Sequence, residues 1–200
     1  MTWGDLAAHL KVYVALAGAA LALGCLAGIP LGILAARVRA ARTPVLTLAN
    51  LGRVVPSLAV LTFMIPLLGV GFVPALAALT LLAIAPIAIN TDLGLRTVPA
   101  PAIDAARGMG MTSSQILLRV EWPLAFPITF AGIRTSATEV IASAVLASFI
   151  GAGGLGEYIT TGLQANDSRL LWTGVVTIAL LALITEIVLA FVQRRLGEAV

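Results

Sequence analysis

The stretch that decides the fold of this chain reads Asp104-Ala105-Ala106-Arg107-Gly108-Met109-Gly110, closed by Val120-Glu121-Trp122-Pro123. It is a polar interruption between long apolar segments. Of the 200 residues, 60% are hydrophobic and only 10% are charged, and the mean hydropathy is +1.07. A soluble domain of this size usually carries about 25% charged residues. The chain therefore has too little polar surface for a water-soluble globule, and lipid is its expected solvent.

Hydropathy predicts five membrane-spanning helices. Residues 12–36 are uncharged and long enough to cross ~30 Å of hydrocarbon at ~1.5 Å per residue. Residues 54–91 are also uncharged but too long for one span, so the prolines and glycines between residues 66 and 74 predict a tight turn that divides them. The expected spans are 12–36, 45–69, 73–91, 123–150 and 170–192, within one domain covering residues 1–200 and joined by polar connections at 92–122 and 151–169.

Three glycines repeat in the first span. The spacing Gly24-x-x-x-Gly28-x-x-x-Gly32 places them on roughly one face of a helix. Because glycine has no side chain, such a face allows a second helix to approach closely. The alternative is that these glycines reflect only the general frequency of glycine in membrane helices.

Basic residues are distributed unequally between the two sides of the predicted spans. One side has Lys11 and Arg169, and the other has Arg37, Arg39, Arg42, Arg96, Arg107, Arg119, Arg194 and Arg195. Because cytoplasmic loops carry the excess of basic residues, we expect the N-terminus outside and the C-terminus in the cytoplasm. This distribution explains the net charge of +3 better than a nucleic-acid-binding surface does.

Short-range signals predict two short helices in the polar connection. Pro99 and Pro101 suit the start of a helix, with Asp104 in its first turn, and Gly110 suits a left-handed stop. Thr112-Ser113-Ser114-Gln115 has the pattern of a capping box, which predicts a second helix as far as about residue 120. Periodicity alone favours an ordinary amphipathic connector at the membrane surface.

The connection resembles the cytoplasmic loop of ABC importer permeases. In that family Glu-Ala-Ala, three residues, Gly, nine residues and Ile-x-Leu-Pro form a coupling helix that docks in a groove of the ATPase subunit. The chain keeps this spacing, with Asp in place of Glu, Val in place of Ile and Trp in place of Leu. The resemblance implies that the ATPase-coupling residues are Asp104, Ala105, Ala106, Gly108, Gly110 and Pro123.

Further segments resemble the osmoprotectant branch of these permeases, which imports glycine betaine, choline, carnitine and related compounds. They are Asn50-x-x-Arg53-x-x-Pro56-Ser57-Leu58-Ala59, Ile65-Pro66-Leu67-Leu68-Gly69, Ala105 to Thr112, Gly132-Ile133-Arg134 and Phe149-Ile150-Gly151-Ala152-Gly153-Gly154-Leu155-Gly156. The resemblance covers residues 10–195. It implies an all-α integral membrane fold of the type I ABC importer permease class, with about five transmembrane helices and a cytoplasmic coupling-helix loop at 99–122. The first alternative is the permease of another importer branch, such as one for amino acids.

The resemblance also implies partners. They are a cytoplasmic ABC ATPase dimer, a second permease chain (identical or similar) and an extracytoplasmic substrate-binding protein, assembled at a bacterial inner membrane. The chain itself is expected to be a transport subunit and not an enzyme, because its only lysine, Lys11, has no phosphate-binding loop around it. ATP and Mg²⁺ would then be bound by the partner ATPase, and this chain would hold no cofactor.

Metal-binding and enzymatic alternatives have little support in the sequence. One histidine and one cysteine cannot form a zinc cluster of the usual kind, so we expect no metal site. The same scarcity disfavours an intramembrane enzyme, and a purely structural membrane subunit is a further alternative. The letters Gly151-x-Gly153-x-x-Gly156 match a dinucleotide fingerprint, but they follow a predicted span and not a strand, which favours a glycine-rich connection.

Four ionisable residues fall within the predicted spans: Arg53, Arg134, Glu139 and Glu186. A charged side chain within the membrane has a high free-energy cost unless it is paired or hydrated. Such residues are therefore candidate functional residues. Arg134 and Glu186 lie near the cytoplasmic ends, where a side chain reaches the interface. Glu139 lies deeper. We therefore take Glu139, together with Arg53, as the candidate residues of a translocation pathway or a subunit interface.

Overall fold

The computed structural model describes residues 3–197, which form helices and the turns between them. The all-α fold expected from hydropathy is confirmed. Four helical segments are long and apolar enough to cross a membrane alone, or five if α2 and α3 together count as one broken span. The helices are α1 (Trp3–Arg37), α2 (Arg39–Val54), α3 (Ser57–Leu68), α4 (Phe72–Arg96), α5 (Ala100–Gly108), α6 (Ser113–Ile116), α7 (Trp122–Ala144), α8 (Gly156–Gln164) and α9 (Ser168–Gly197).

Helix α4 is the centre of the bundle, and α1 packs along it through the repeated glycines. A Cβ atom added at Gly28 would lie 2.9 Å from Cβ of Ile87, and one added at Gly32 would lie 2.6 Å from the carbonyl oxygen of Ala88. These distances are too short for any side chain. The close-packing role predicted from the glycine spacing is therefore confirmed.

Helix α7 packs against α4 by the same means. A Cβ atom added at Gly132 would lie 2.8 Å from the carbonyl oxygen of Pro86. One turn further along, the buried hydroxyl of Ser136 donates a hydrogen bond of 2.6 Å to the carbonyl of Ala83. Small residues thus hold α4 closely between α1 and α7, as expected for helices that associate inside a membrane.

The second predicted span, 45–69, is not one helix. It is divided into α2 and α3, whose axes differ by 102° at the break. The cause is Pro56, because a proline disfavours the helical conformation of the residue before it. Val55 accordingly has an extended backbone, with φ −70° and ψ 125°.

The tight turn predicted between the second and third spans is present. Gly69 and Gly71 adopt φ values of +81° and +110°, which favour glycine. The N–H of Gly71 donates a hydrogen bond of 2.7 Å to the carbonyl of Ile150. Helix α4 then extends beyond the predicted span 73–91 as far as Arg96, so Asp92 is a buried residue of α4 and does not belong to the polar connection.

The predicted span 123–150 begins earlier than its proline suggests. Helix α6, the π-helical turn Leu117–Glu121 and α7 form one continuous segment, Ser113–Ile150. Proline lacks an N–H and its ring clashes with the carbonyl four residues earlier. The wider π turn lies immediately before Pro123, where it can absorb that misfit without ending the helix. The helix therefore continues through the boundary expected at Pro123.

The second polar connection contains a helix of its own. Residues 145–150 form a short 3-10 helix, and the glycines that follow lead into α8. Because a helix and not a strand precedes these glycines, the dinucleotide-binding alternative does not apply. Helix α9 then crosses the bundle with most of its apolar side chains exposed, as expected for a face that meets lipid or another chain.

We expect Gly32→Ala to destabilise the chain more than Gly18→Ala does. The new methyl group at position 32 would press against the carbonyl oxygen of Ala88, whereas a Cβ at Gly18, in the same helix, meets nothing within 4 Å. Overpacking of this kind costs about 1–3 kcal/mol. Thermal unfolding of the two detergent-solubilised variants measures the difference, and equal midpoints would contradict the packing described above.

Candidate functional site

The polar connection lies on a small apolar cluster at the end of the bundle. Ile103 of α5 and Leu117 of the π turn pack against Leu95, Val98 and Ala125, which are buried. Ala106 of α5 is only 1% exposed, so this face of the short helix is turned toward its own chain. The connection is therefore a fixed part of the fold and not a loose loop.

The turn between α5 and α6 has the geometry that the sequence predicts. Gly110 adopts a left-handed conformation with φ +78°, and the N–H of Met111 donates to the carbonyl of Ala106 at 3.2 Å. Thr112 and Gln115 then form the predicted capping box: the N–H of Thr112 donates to the side chain of Gln115 at 2.8 Å, and the N–H of Gln115 donates to the hydroxyl of Thr112 at 3.4 Å.

Asp104 does not lie in the first turn of its helix as predicted. Helix α5 begins at Ala100, with Pro99 as its N-cap, so Asp104 falls in the middle of the helix. Its carboxylate is exposed and lies 3.4 Å from the guanidinium of Arg107, one turn along. The acidic side chain is therefore displayed at the surface and gains little from the helix dipole.

The six predicted coupling residues divide into an exposed group and an internal group. Exposed at the end of the molecule are Asp104, Ala105, Gly108 and Gly110, together with Met109. Ala106 is buried, and Pro123 is half-buried within α7. We call the exposed group, Asp104, Ala105, Gly108, Met109 and Gly110, the loop surface.

Two ion pairs near the loop surface were missed by the sequence analysis. Arg37, at the end of α1, forms a salt bridge with Glu121 of the π turn, whose carboxylate is buried. Arg42 of α2 lies 3.4 Å from Asp92 of α4, which is 3% exposed. The only signal in the sequence was the presence of isolated acids beside spans whose flanks are rich in arginine. The first pair joins α1 to the π turn, and the second joins α2 to α4.

Arg134 and Glu186, which were expected to extend separately toward the interface, are joined to each other. The guanidinium of Arg134 on α7 contacts the carboxylate of Glu186 on α9 and donates to the amide oxygen of Gln193 at 3.1 Å. The hydroxyl of Thr138 lies 3.3 Å from the other carboxylate oxygen. Because Glu186 lies on α9, 52 residues further along the chain, spacing within one helix could not reveal this partner.

The two candidate pathway residues lie on different helices. Arg53 is exposed at the end of α2, immediately before the break, and Glu139 is half-buried on α7. Within the described part of the chain, no hydrogen bond or salt bridge involves either side chain. Arg53 and Glu139 are thus two charges that are not bonded to each other.

A separate contact fastens α1 to α8 at the opposite end of the bundle. The ring of His9 lies 2.8 Å from the carboxylate of Glu157 and meets the ring of Tyr158 edge-on. Burial raises the pKa of the Tyr158 phenol, with a smaller contribution from the Asp5 carboxylate. His9 is therefore engaged in a contact between helices.

Removing the partner of the buried Glu121 carboxylate is expected to destabilise the fold. Arg37→Gln leaves that charge with no guanidinium, and an orphaned buried group costs about 1–3 kcal/mol. The double variant Arg37→Gln/Glu121→Gln removes the charge as well and should recover part of the loss. Thermal unfolding of Arg37→Gln, of Glu121→Gln and of the double variant measures this, and a double variant as unstable as the sum of the two single changes would contradict the pairing.

Comparisons with known proteins agree on one family. Residues 28–198 match the family model described as the inner membrane component of binding-protein-dependent transport systems. The choline transport system permease protein OpuBB of Bacillus subtilis is 40% identical over 98% of this chain and 90% of its own length. The carnitine transport permease protein OpuCB of Listeria monocytogenes is 44% identical over 88% of this chain and 81% of its own length.

A solved structure has the same fold. An inward-facing methionine ABC transporter superimposes with a TM-score of 0.86 and 23% identity, covering 98% of this chain and 99% of that one. At this identity the likeness extends to the fold alone, which is that of a type I ABC importer permease. On the family match and the curated relatives, this chain belongs to the inner membrane components of binding-protein-dependent transport systems.

Proposed function

We propose that this chain is the permease subunit of an ATP-driven importer of osmoprotectants such as glycine betaine, choline or carnitine. The observation that carries the proposal is the 40–44% identity to permeases named for choline and carnitine transport over most of both chains. A permease named for osmoprotectant import in Salmonella typhimurium, 39% identical over 92% of this chain, supports the same class.

The amino-acid alternative has weaker support. A structure named for an amino acid ABC transporter is 17% identical with a TM-score of 0.79, and the methionine transporter is 23% identical. Likeness at this level reports the packing of helices and carries no information about the solute. The much higher identity to osmoprotectant permeases therefore favours that branch.

The proposed orientation has the loop surface in the cytoplasm, the N-terminus outside and the C-terminus inside. It is supported by the distribution of arginines, because Arg37, Arg42 and Arg107 all lie at the end of the bundle that carries the connection. Lys11 begins the apolar part of α1 at the other end. In this orientation the pair formed by His9 and Glu157 lies outside.

The loop surface is the proposed docking site for the ATPase. Asp104, Ala105 and Gly108 are exposed, so a partner can reach them, and the small size of the last two allows its backbone to come close. Gly110 shapes this surface by its left-handed turn. The buried Ala106 packs beneath it and holds α5 in place. Pro123 has an indirect role, since it lies inside α7.

The remaining partners follow from the family. Two permease chains would enclose the path, two ATPase subunits would bind ATP and Mg²⁺, and an external binding protein would deliver the solute. Exposed apolar side chains along α2, α3 and α9 form surfaces against which the second permease chain would pack. Two differently tagged copies of this chain, produced together, would be purified through one tag. Recovery of the other tag shows that the second permease chain is identical.

The proposal is tested by uptake of radiolabelled glycine betaine, choline, carnitine and methionine into proteoliposomes that contain the permease with its candidate ATPase and binding protein. We expect ATP-dependent uptake of at least one quaternary ammonium compound and none of methionine. An assembled complex that hydrolyses ATP and takes up methionine but no quaternary ammonium compound would reject the proposed solute class.

The role of the loop surface is tested by Gly108→Leu. A Cβ at position 108 meets nothing within 4 Å and the backbone there is ordinary helix, so the chain itself should fold unchanged. The added side chain would keep the ATPase backbone away, and we expect at least a tenfold loss of ATPase binding, roughly the effect of 1.4 kcal/mol.

Gly18→Leu is the matched control, because position 18 is equally open but lies on α1, away from the connection. Co-purification with the tagged ATPase and size-exclusion chromatography report binding and folding separately. A Gly108→Leu chain that binds the ATPase as the control does would exclude the proposed docking site.

A further inference from the structure

An apolar cavity of about 380 Å³ lies between α2 and the neighbouring helices α1, α3 and α4. Every residue that lines it is glycine, alanine, valine, leucine or isoleucine. Although α2 forms one wall, none of its residues is buried. Leu48, Val55 and Leu81 of the lining are exposed, so the cavity is open to the surroundings of the bundle. Helix α2 thus leaves an apolar space against α4 that no side chain of the described residues fills.

The cavity follows the long axes of α2 and α4, which run side by side here. On α2 its lining residues extend from Val45 to Val55, and on α4 they extend from Leu81 to Ala88. Ten residues of helix correspond to ~15 Å, which is about half of the ~30 Å hydrocarbon core of a bilayer. The cavity is therefore comparable in length with the apolar part of one membrane leaflet.

Positive charge is concentrated at one end of the cavity. Arg42 precedes Val45 by one turn of α2. Its guanidinium lies 3.4 Å from the carboxylate of Asp92, which follows Ala88 by one turn of α4. Arg39, a further turn back along α2, is exposed and forms no salt bridge within the described part of the chain. Two guanidinium groups thus accompany one carboxylate, which leaves this end with a net positive charge.

The chemistry of the cavity indicates the class of its ligand. Its walls offer no side-chain hydrogen-bonding group, so a polar solute would lose its hydration there without compensation. An apolar chain gains dispersion contacts that the walls of an empty space lack. At the arginine end, guanidinium groups bind phosphate through paired N–H donors. An amphipathic anion with a long apolar chain therefore suits both ends, and an anionic membrane phospholipid is such a molecule.

We propose that this cavity binds one acyl chain of an anionic phospholipid, whose phosphate contacts Arg39 and Arg42 at the membrane surface. Basic residues next to a bilayer attract anionic lipids in this way. In the proposed orientation the lipid belongs to the cytoplasmic leaflet, and its chain supports α2 against α4 where the protein itself does not. The site is independent of which solute the permease carries.

The position of the acyl chain is tested by Gly52→Leu. A Cβ atom at position 52 meets nothing within 4 Å, so the new side chain can enter the cavity without a clash. We expect the wild-type chain, purified in mild detergent, to retain one phospholipid more per chain than this variant, as counted by native mass spectrometry. Gly18→Leu is the matched control, because position 18 is equally open but lies outside this cavity, and it should retain as much phospholipid as the wild type.

The position of the phosphate is tested by Arg39→Gln in lipid-free detergent. The midpoint of thermal unfolding is followed as phosphatidylglycerol or phosphatidylcholine is added. We expect the wild type to bind phosphatidylglycerol more tightly, and Arg39→Gln to weaken that binding about fivefold without changing the binding of phosphatidylcholine, since one surface arginine contributes about that much. Arg119→Gln, which changes an exposed arginine of the π turn, should leave both affinities unchanged.

Size-exclusion chromatography establishes that each variant is folded and whether it remains associated with a second permease chain. Equal retention of phospholipid by the wild type and Gly52→Leu would overturn the proposal, as would equal affinity of the wild type for the two lipids. A Gly52→Leu chain that keeps its phospholipid but loses the second permease chain would show that a protein occupies the cavity, which also overturns it.

Discussion

Close approach of helices at residues without large side chains is the constraint on which this structure depends. In lipid, helices gain little from hiding apolar side chains, so association rests on close packing and on hydrogen bonds between them. Gly28 and Gly32 bring α1 onto one side of α4, and Gly132 brings α7 onto the other. The hydroxyl of Ser136 adds a hydrogen bond to the α4 backbone at the same contact. Helix α4 is thereby held between α1 and α7, and α2 and α3 also pack against it, whereas α9 packs on α7 and α8.

The functional features take their positions from α4. At one end, Leu95 and Val98 form the floor on which the polar connection lies, and Asp92 meets Arg42 of α2. At its middle, the carbonyl of Ala83 fixes the height of α7 and so of Glu139. The single helix α4 therefore contacts both the cluster beneath the loop surface and the helix that carries Glu139.

Much of the fold and of the loop surface could be predicted from the sequence because the signals are local. Uncharged stretches define spans, a glycine repeat defines a contact face, and Thr112, Gln115 and Gly110 define a cap and a turn through their nearest neighbours. The break at Pro56 was missed because hydropathy does not register a change of direction within an apolar run. The partners of Glu121, Asp92 and Glu186 were missed because they lie on other helices, and a single sequence does not say which helix faces which.

The continuity of α6, the π turn and α7 has a consequence for a loop that is proposed to bind an ATPase. From Ser113 to Glu139 the chain is one helical segment of ~40 Å at ~1.5 Å per residue, with no loop between the α5–α6 turn and the carboxylate of Glu139. Rigid secondary elements can carry coupling between distant sites, and a continuous helix is such an element. The π turn at Leu117–Glu121 is the one irregular section of this path, and the salt bridge from Glu121 to Arg37 ties it to α1. A displacement of the loop surface would therefore be passed both along α7 to Glu139 and sideways to α1, so that the carboxylate and the bundle around it move together.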